Sequence, residues 1–226
     1  MANFQEKVND LVGFGTTDND ALVDFLNDGV KEIISMMPSE MKQKCSKVSI
    51  LNADNGTTLD LDGRGPILQV TRKEASDKKQ VPCREIQPMH SDLANDSSSL
   101  HYASVTDPIY YQTSNSSGAS TIFVLPTPTN AQPSNVYYVA YPLFDTSGSG
   151  DNVDIDDASD TSIPNFPDEA EHLVVLYAAI KVAERLLAIE EDVELYSPVI
   201  TTLRQSYATG LQALGLVQTQ PQQGAR

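Results

Sequence analysis

Apolar residues between Pro167 and Val217 recur at helical spacing and predict two helices. The first opens at Asp168-Glu169 and is apolar over most of its circumference, apart from a narrow polar stripe through Lys181, Glu184 and Arg185. A helix of this kind must be covered on several sides. We therefore interpret it as the core of a globular domain; the alternative is that part of it covers a neighbouring subunit. Its two apolar rows are Leu173, Leu176, Ile180, Ala183 and Leu187, and Val175, Ala179, Val182, Leu186 and Ile189.

The second of these helices has a single apolar stripe. We place its start at Ser197-Pro198, because a hydroxyl N-cap followed by proline is typical of a helix N-terminus. The polar composition of residues 218–226 predicts a flexible tail after the helix. The stripe contains Ile200, Leu203, Tyr207, Leu211 and Leu214, and the polar residues facing away from it are Arg204, Gln205, Thr209 and Gln212.

The N-terminal residues predict two further amphipathic helices. The first, with Phe4, Val8 and Leu11 on its apolar side, ends near Gly13. The second is capped by Thr17 or Asp18 and stopped by Pro38. Its apolar face contains Leu22, Phe25, Leu26, Val30, Ile33 and Met37, and its opposite face carries Asp20, Asp24, Asp28 and Glu32. We expect the C-terminal helices to bury both apolar faces.

From about Lys47 the pattern changes to short strands separated by turn-forming residues. Asn55-Gly56, between two apolar runs, predicts a β-hairpin. The predicted strands are 47–51, 57–61, 66–72, 79–86, 100–105, 108–112, 121–125 and 136–141, with a helical turn at 88–93. Residues 145–161 are rich in Ser, Gly and Asp and predict a mobile surface loop.

This order of helices, strands and helices favours the α+β class. The simplest arrangement is a helical bundle built from both chain ends with a large β-rich insertion. We expect N-terminal bundle helices in 1–45, the β-rich insertion in 46–163, C-terminal bundle helices in 164–217 and the tail in 218–226.

Composition narrows the possible functions. The 226 residues are 40% hydrophobic, which is enough for a substantial core. With 31 acidic and 15 basic residues the formal net charge is −16, which argues against a generic nucleic-acid binder. We expect no membrane span and no secretory signal, because the sequence has neither a long apolar run nor an apolar N-terminal segment. Cys45 and Cys83 are too few for a disulfide framework, so we expect synthesis in a reducing cytoplasm.

No set of residues predicts a catalytic, metal or cofactor site. The acidic loop could bind calcium, but it lacks the Gly and Glu that an EF-hand requires, so a solvated loop is the better interpretation. Cys83 and the histidines lack the spacing of a structural zinc site, and motifs for a serine nucleophile or a phosphate-binding loop are absent. The residues concerned are Asp151, Asp154, Asp156, Asp157 and Asp160, and His90, His101 and His172.

Six tyrosines concentrate in the β-rich middle of the chain. Such residues usually pack a small sheet or an interface while their hydroxyls stay hydrated. A platform for a carbohydrate or nucleotide is the alternative. The tyrosines are Tyr102, Tyr110, Tyr111, Tyr137, Tyr138 and Tyr141.

Several short motifs occur in a fixed order before the first C-terminal helix. They are Val81–Ile86 (VPCREI), Ser99–Ala103 (SLHYA), Asp107–Tyr111 (DPIYY), Thr121–Pro126 (TIFVLP), Val136–Val139 (VYYV) and Phe166–Ala170 (FPDEA). This order resembles the virion structural proteins of tailed bacteriophages, especially the neck adaptors between portal and tail. The resemblance covers about residues 15–215. In that family a helical bundle from both chain ends carries a β-rich insertion, which agrees with the arrangement expected from the sequence pattern.

The resemblance implies a non-enzymatic ring subunit, a dodecamer in the virion neck, made in the host cytoplasm. Its implied partners are other copies of itself, the portal, and tail or neck proteins. Genomic DNA would pass through without specific binding, and no cofactor or membrane is involved. A stopper or another connector component is an alternative neck position. The alternatives outside this class are a monomeric β-rich module that binds a glycan or cell-surface ligand, and a metal-dependent hydrolase.

Two sets of residues follow as candidate sites. We expect the C-terminal helix and tail to contact the portal through Arg204, Gln205, Tyr207, Leu211, Leu214, Gln218 and Arg226. We expect the acidic face of the second helix to line the channel through Asp20, Asp24, Asp28 and Glu32. Carboxylates there would repel the phosphates of passing DNA; the alternative is that acidity only maintains solubility.

Overall fold

The computed structural model describes residues 2–13, 18–75, 78–114, 118–147 and 152–216. It is 41% helical and 22% strand, which confirms the α+β class. The chain divides into two compact units. Residues 1–45 and 141–226 make up one, here called the helical unit, and residues 46–140 make up the other, here called the β unit.

Helix α4 is the centre of the helical unit, because α1, α2 and α5 all pack against it. Small residues such as Ala178, Ala179 and Ala183 are fully buried along it and allow close approach of the neighbouring helices. The described helices of this unit are α1 (Phe4–Val12), α2 (Asn19–Met36), α3 (Ser39–Lys42), α4 (Asp168–Glu190) and α5 (Val193–Ala213).

Two glycines lie where α4 meets its neighbours. A Cβ atom on Gly210 of α5 would lie 2.5 Å from Cδ2 of Leu173, and one on Gly29 of α2 would lie 3.0 Å from Cδ1 of Tyr177. Both distances are shorter than a normal carbon–carbon contact. The missing side chains therefore permit the close packing of α2 and α5 on α4.

The end of α1 and both ends of α2 lie where the sequence signals predict, and the start of α1 has a cap that was not predicted. The Asn3 side chain accepts a hydrogen bond from the Glu6 amide while the Glu6 side chain accepts one from the Asn3 amide, a capping box for α1. Gly13 ends α1 in a left-handed conformation, with φ of 81°. Asp18 caps α2 through the Ala21 amide, and α2 ends before Pro38. Thr17, the other candidate cap, lies outside the described residues.

The predicted start of α5 at Ser197-Pro198 is wrong. The helix begins at Val193, because Asp192 caps it by accepting a hydrogen bond from the Leu195 amide at 3.1 Å. Tyr196 is fully buried and anchors the first turn. Pro198 lies inside the helix, where its ring removes one backbone hydrogen bond without ending it.

The predicted surface loop over residues 145–161 contains a short strand pairing and buried side chains that the sequence pattern did not predict. Strand β9 (Phe144–Asp145) pairs in parallel with β10 (Val153–Asp154), and the amide of Gln5 donates to the carbonyl of Ile155 at 3.2 Å. Val153 and Ile155 are buried. These two apolar side chains alternate with aspartates, so the acidic composition of this segment did not predict their burial. Residues 148–151 lie outside the described part of the chain.

Two four-stranded sheets form the β unit, in the orders β1-β8-β3-β4 and β2-β7-β6-β5. Both sheets contribute to one buried apolar cluster, which includes Leu51, Val70, Ile122 and Val136. The strands are β1 (Ser46–Leu51), β2 (Thr58–Asp60), β3 (Ile67–Lys73), β4 (Gln80–Pro82), β5 (Arg84–Glu85), β6 (Ile109–Ser114), β7 (Ser120–Leu125) and β8 (Ser134–Val139).

Arg72 of β3 is a fully buried charged residue in this unit. Its guanidinium donates to the carbonyl oxygens of Pro126 and Thr127 and to the side chain of Gln132. Burial lowers the pKa of Arg72. These hydrogen bonds fix the connection between β7 and β8.

The structure corrects three predictions for the β unit: the hairpin at Asn55-Gly56, the strand 79–86 and the strand 100–105. The Asn55-Gly56 turn closes only an isolated bridge between Asn52 and Gly56, because β1 pairs with β8 and β2 pairs with β7. The predicted strand 79–86 is divided at Cys83 between the two sheets.

Residues 100–105 form no strand, and Leu100 is 96% exposed. Two 3₁₀ turns, Pro88–His90 and Asp92–Asn95, occupy the region of the predicted helical turn. Ala94 and Ala103 pack on the outer side of the second sheet against Ile86 and Ile109. Ala94 and Ala103 therefore cover a sheet instead of extending it.

We expect Ile180→Asp to unfold the protein or to destabilise it severely. Ile180 is buried on α4, and an unpaired carboxylate there costs several kcal/mol, against a typical domain stability of about 5–15 kcal/mol. Ala188→Asp is the matched control, because Ala188 is exposed on the last turn of the same helix. Urea unfolding followed by circular dichroism measures both. A cooperatively folded Ile180→Asp protein of normal stability would contradict the assignment of this face as core.

Candidate interaction surfaces

The residues of α5 that are predicted to contact a portal differ in their exposure to solvent. Arg204 and Gln205 are exposed, Tyr207 and Leu214 are half-buried, and Leu211 is buried within its own unit. Arg204 donates to Glu184 of α4 at 2.7 Å. The predicted residues Gln218 and Arg226 lie outside the described part of the chain. Of the predicted portal-contact residues that the structure describes, Arg204 and Gln205 are therefore the most accessible to a partner.

The predicted channel residues form one exposed row along α2. Asp20, Asp24, Asp28 and Glu32 are all exposed, opposite the buried face of the helix. The hydroxyl of Tyr207 donates to Glu32 Oε1 at 3.4 Å. Burial and the neighbouring Glu32 carboxylate raise the pKa of Tyr207. The structure thus brings one residue of each predicted set together where α2 and α5 meet.

Most of the net negative charge of the chain belongs to the helical unit. Its two segments contain 22 acidic and 8 basic residues, whereas the β unit contains 9 acidic and 7 basic residues. The helical unit therefore repels polyanions and attracts basic partner surfaces.

A cleft of about 620 Å³ lies between α1 and the start of α4. Its apolar lining includes Leu11 and Leu176, and two of its charged groups, Lys7 and Glu171, have local partners. The Lys7 ammonium donates to the carbonyl of Thr161 at 2.9 Å, and Glu171 accepts from the Ile163 amide at 2.5 Å. The cleft is not evident from the sequence pattern, because Leu11 and Leu176 continue apolar rows that otherwise face the core.

The turn between α4 and α5 exposes apolar side chains among carboxylates. Residues 189–195, here called the hairpin turn, expose Ile189, Val193 and Leu195 at 66%, 61% and 41%. Glu191 adopts a left-handed backbone conformation with φ of 56°. The buried Tyr196 donates from its hydroxyl to Glu190 at 2.5 Å and so anchors the turn.

The five tyrosines of the β unit are not arranged as one platform, and the sixth, Tyr141, belongs to the helical unit. Tyr110 and Tyr111 lie on β6, and Tyr137 and Tyr138 lie on β8 of the other sheet. The hydroxyl of Tyr110 donates to Glu85, and the ring of Tyr111 stacks on Phe123 with centroids 5.2 Å apart. These side chains pack with their local neighbours.

The side chains considered for metal binding also have local roles. Within the described residues, no group of three or more His, Cys, Asp or Glu side chains is placed to hold a metal ion. Asp154 and Asp157 accept hydrogen bonds from nearby backbone amides in turns, and Asp151 lies outside these residues. His90 and His101 stack with ring centroids 4.4 Å apart.

Neither cysteine is an activated nucleophile. Burial raises the pKa of Cys45 to about 11 and that of Cys83 to about 12. Both thiols are therefore protonated at neutral pH, whereas the thiolate is the reactive form.

We expect Tyr196→Phe to reduce the loss of stability at high pH. The hydrogen bond to Glu190 raises the pKa of Tyr196 to about 12, above about 10 for an unfolded chain. Its contribution to stability is complete below about pH 10 and is lost as the pH rises through about 12. The difference in unfolding free energy between the wild type and Tyr196→Phe should therefore shrink across this window in urea titrations.

Glu190→Gln is the matched control, because it removes the carboxylate that raises the pKa and keeps the hydroxyl. It should also lose less stability than the wild type across the same window. A wild-type to Tyr196→Phe difference that is independent of pH would contradict the prediction.

Comparison with known proteins identifies a family. The family model described as SU10 adaptor protein matches residues 1–226 of the chain. No curated protein matches the chain. The match spans both the helical unit and the β unit, so it applies to the chain as a whole. Among the described helices, none is long and apolar enough to cross a membrane.

Proposed function

Because this chain belongs to the SU10 adaptor protein family, a family of bacteriophage adaptor proteins, we propose that it forms the ring that joins the portal to the tail in a tailed phage. The protein is a structural component of the virion. The observation that carries the proposal is the family match over residues 1–226. The proposed ring is a dodecamer in the virion neck, and it has no enzymatic activity.

We further propose that the helical unit is a bundle built from both chain ends and forms the body of the ring. The packing of α1, α2 and α5 on α4 supports this arrangement. The β unit is then an insertion between the two halves of the bundle. A rigid body built around one buried helix suits a protein that must hold its partners in register.

The proposed portal contact is the exposed side of α5 together with the residues that follow it. Arg204 and Gln205 would meet the portal directly. Tyr207, Leu211 and Leu214 would hold α5 on its own unit, because each is at least half-buried. Gln218 and Arg226 would extend the contact beyond the helix.

The charge distribution suits a ring through which DNA passes. We propose that Asp20, Asp24 and Asp28 of α2 face the channel, with Glu32 at the end of the row. A wall of carboxylates repels phosphates and keeps the genome from binding during passage. The acidic excess of the helical unit supports this proposal.

We expect the purified chain to bind the portal of its phage as a ring, and Arg204→Glu to lower the affinity by about tenfold or more, since it reverses a charge at the contact. Removing residues 217–226 should also weaken attachment. Lys79→Glu is the control, because it makes the same charge change at an exposed position in the β unit. Binding is measured by sedimentation with portal rings, and ring order by electron microscopy.

These binding measurements test the proposed function and the proposed portal surface separately. Failure of the wild type to bind the portal under any condition would contradict the proposed function. Equal binding by the wild type, Arg204→Glu and the truncated chain would contradict only the assigned portal surface.

We expect Asp24→Lys combined with Asp28→Lys to slow DNA ejection from phage particles that carry the variant, because lysines on the channel wall would bind phosphates. The control is Asp54→Lys with Asp96→Lys, exposed aspartates of the β unit. Ejection is followed by fluorescence of a DNA-binding dye, and a density map of the ring locates α2. A map with a neutral or basic channel wall would contradict the proposal.

A further inference from the structure

We propose that the β unit binds a small monovalent anion, of the size of chloride, between the side chains of Arg72 and Ser134. The inference goes beyond the proposed ring function, because the site lies inside the β unit and takes an ion instead of a protein partner. It is marked by two buried polar atoms that have no hydrogen-bond partner among the described residues.

The ladder of the first sheet brings these two side chains together. Arg72 of β3 is the register partner of Ser134 of β8. The amide of Lys73 donates to the carbonyl of Pro133 at 2.9 Å. Arg72 and Ser134 therefore form a non-hydrogen-bonded pair, the kind in which facing side chains lie closest. Their Cβ atoms are about 4.5–5.5 Å apart on the same face of the sheet.

Both side chains are removed from solvent. Arg72 is 1% exposed and Ser134 is fully buried. Within the described residues, Arg72 Nε and Ser134 Oγ have no hydrogen-bond partner, although buried polar groups are normally paired because an unpaired one is costly. The Nε–H group can only donate, and the hydroxyl of Ser134 can donate as well. One acceptor between them would serve both.

The Arg72 guanidinium carries its charge among neutral groups. Its described acceptors are two backbone carbonyl oxygens and the side-chain oxygen of Gln132. None of the ion pairs within the described residues includes it. Buried charges are usually paired, because transfer of an isolated charge out of water is costly. A water molecule would satisfy the Nε–H group and leave the charge uncompensated, whereas an anion does both.

The surroundings of the pair limit the size of the anion. Leu51 of β1 pairs with Ser134 from the other side of β8. Val70 and Val136 lie two positions along from the pair and share its face. All three belong to the buried apolar cluster of the β unit, and their side chains donate no hydrogen bonds. The site therefore suits a halide ion better than phosphate, whose four oxygen atoms require more donors.

The dependence of stability on chloride tests the site. We expect the unfolding temperature of the full chain to rise by about 3 °C or more between about 10 mM and about 500 mM sodium chloride, because a ligand that binds only the folded chain stabilises it. Sodium isethionate at the same ionic strength is the comparison, since its anion is too large for the site. Circular dichroism measures both series.

Two hydroxyl variants assign the effect to this pair. Ser134→Ala should reduce the chloride-dependent rise to less than half, because it removes one of the two donors. Thr71→Val is the matched control, because Thr71 is also buried and its hydroxyl has no partner within the described residues. Neighbouring residues of a strand point to opposite faces of the sheet. The Thr71→Val variant should therefore keep the full dependence on chloride.

Anomalous X-ray diffraction locates the ion without relying on any variant. A wild-type crystal grown in sodium bromide should show an anomalous peak within hydrogen-bond distance of both Arg72 Nε and Ser134 Oγ. If Ser134→Ala fails to fold, this map decides.

Several results would overturn the anion site. In the bromide map, they are a water molecule between the two atoms or a direct hydrogen bond from Arg72 Nε to Ser134 Oγ. In the unfolding series, they are equal unfolding temperatures in chloride and isethionate, or an equal chloride effect in the wild type and Ser134→Ala. None of these results bears on the proposed ring function, which the portal-binding measurements test.

Discussion

Burial of α4 is the constraint on which the helical unit depends. The helix is apolar around most of its circumference. Removing that surface from water stabilises the fold only if several elements cover it. Helices α1, α2 and α5 do so, at distances set by alanines on α4 and by Gly29 and Gly210 on its neighbours. A charge on this helix therefore damages folding, whereas a charge on the outer faces of α2 or α5 changes what the surface attracts.

The distribution of charge makes the two units electrostatically different. The helical unit has a large acidic excess, and the β unit is almost neutral. Acidic side chains stand in a row on α2 and cluster again at the hairpin turn, so the unit presents two negative surfaces. We interpret the row on α2 as a wall that does not bind DNA.

Local signals in the sequence were sufficient for the ends of α1 and α2 and for the fold class. The Asn3 and Asp18 caps, Gly13 and Pro38 act within one turn, so the bounds of α1 and α2 follow from residues close in sequence. The double apolar rows of α4 predicted a helix covered on several sides. The exposed acidic row of α2 also follows from spacing alone, because the period of a helix decides which residues share a face.

Only the tertiary structure decided the features that depend on partners distant in the chain. Cys83 divides one apolar run between two sheets, because its amide bonds to Val70 while Arg84 bonds to Pro108. Ile155 is buried inside an acidic run, and Arg72 is buried against carbonyl groups more than fifty residues away. Accessibility is decided in the same way: Leu211 and Ile189 are equivalent as apolar positions on helices, yet packing buries the first and leaves the second exposed. Sequence periodicity determines which face of a helix a residue occupies, and the three-dimensional packing determines whether that face is covered.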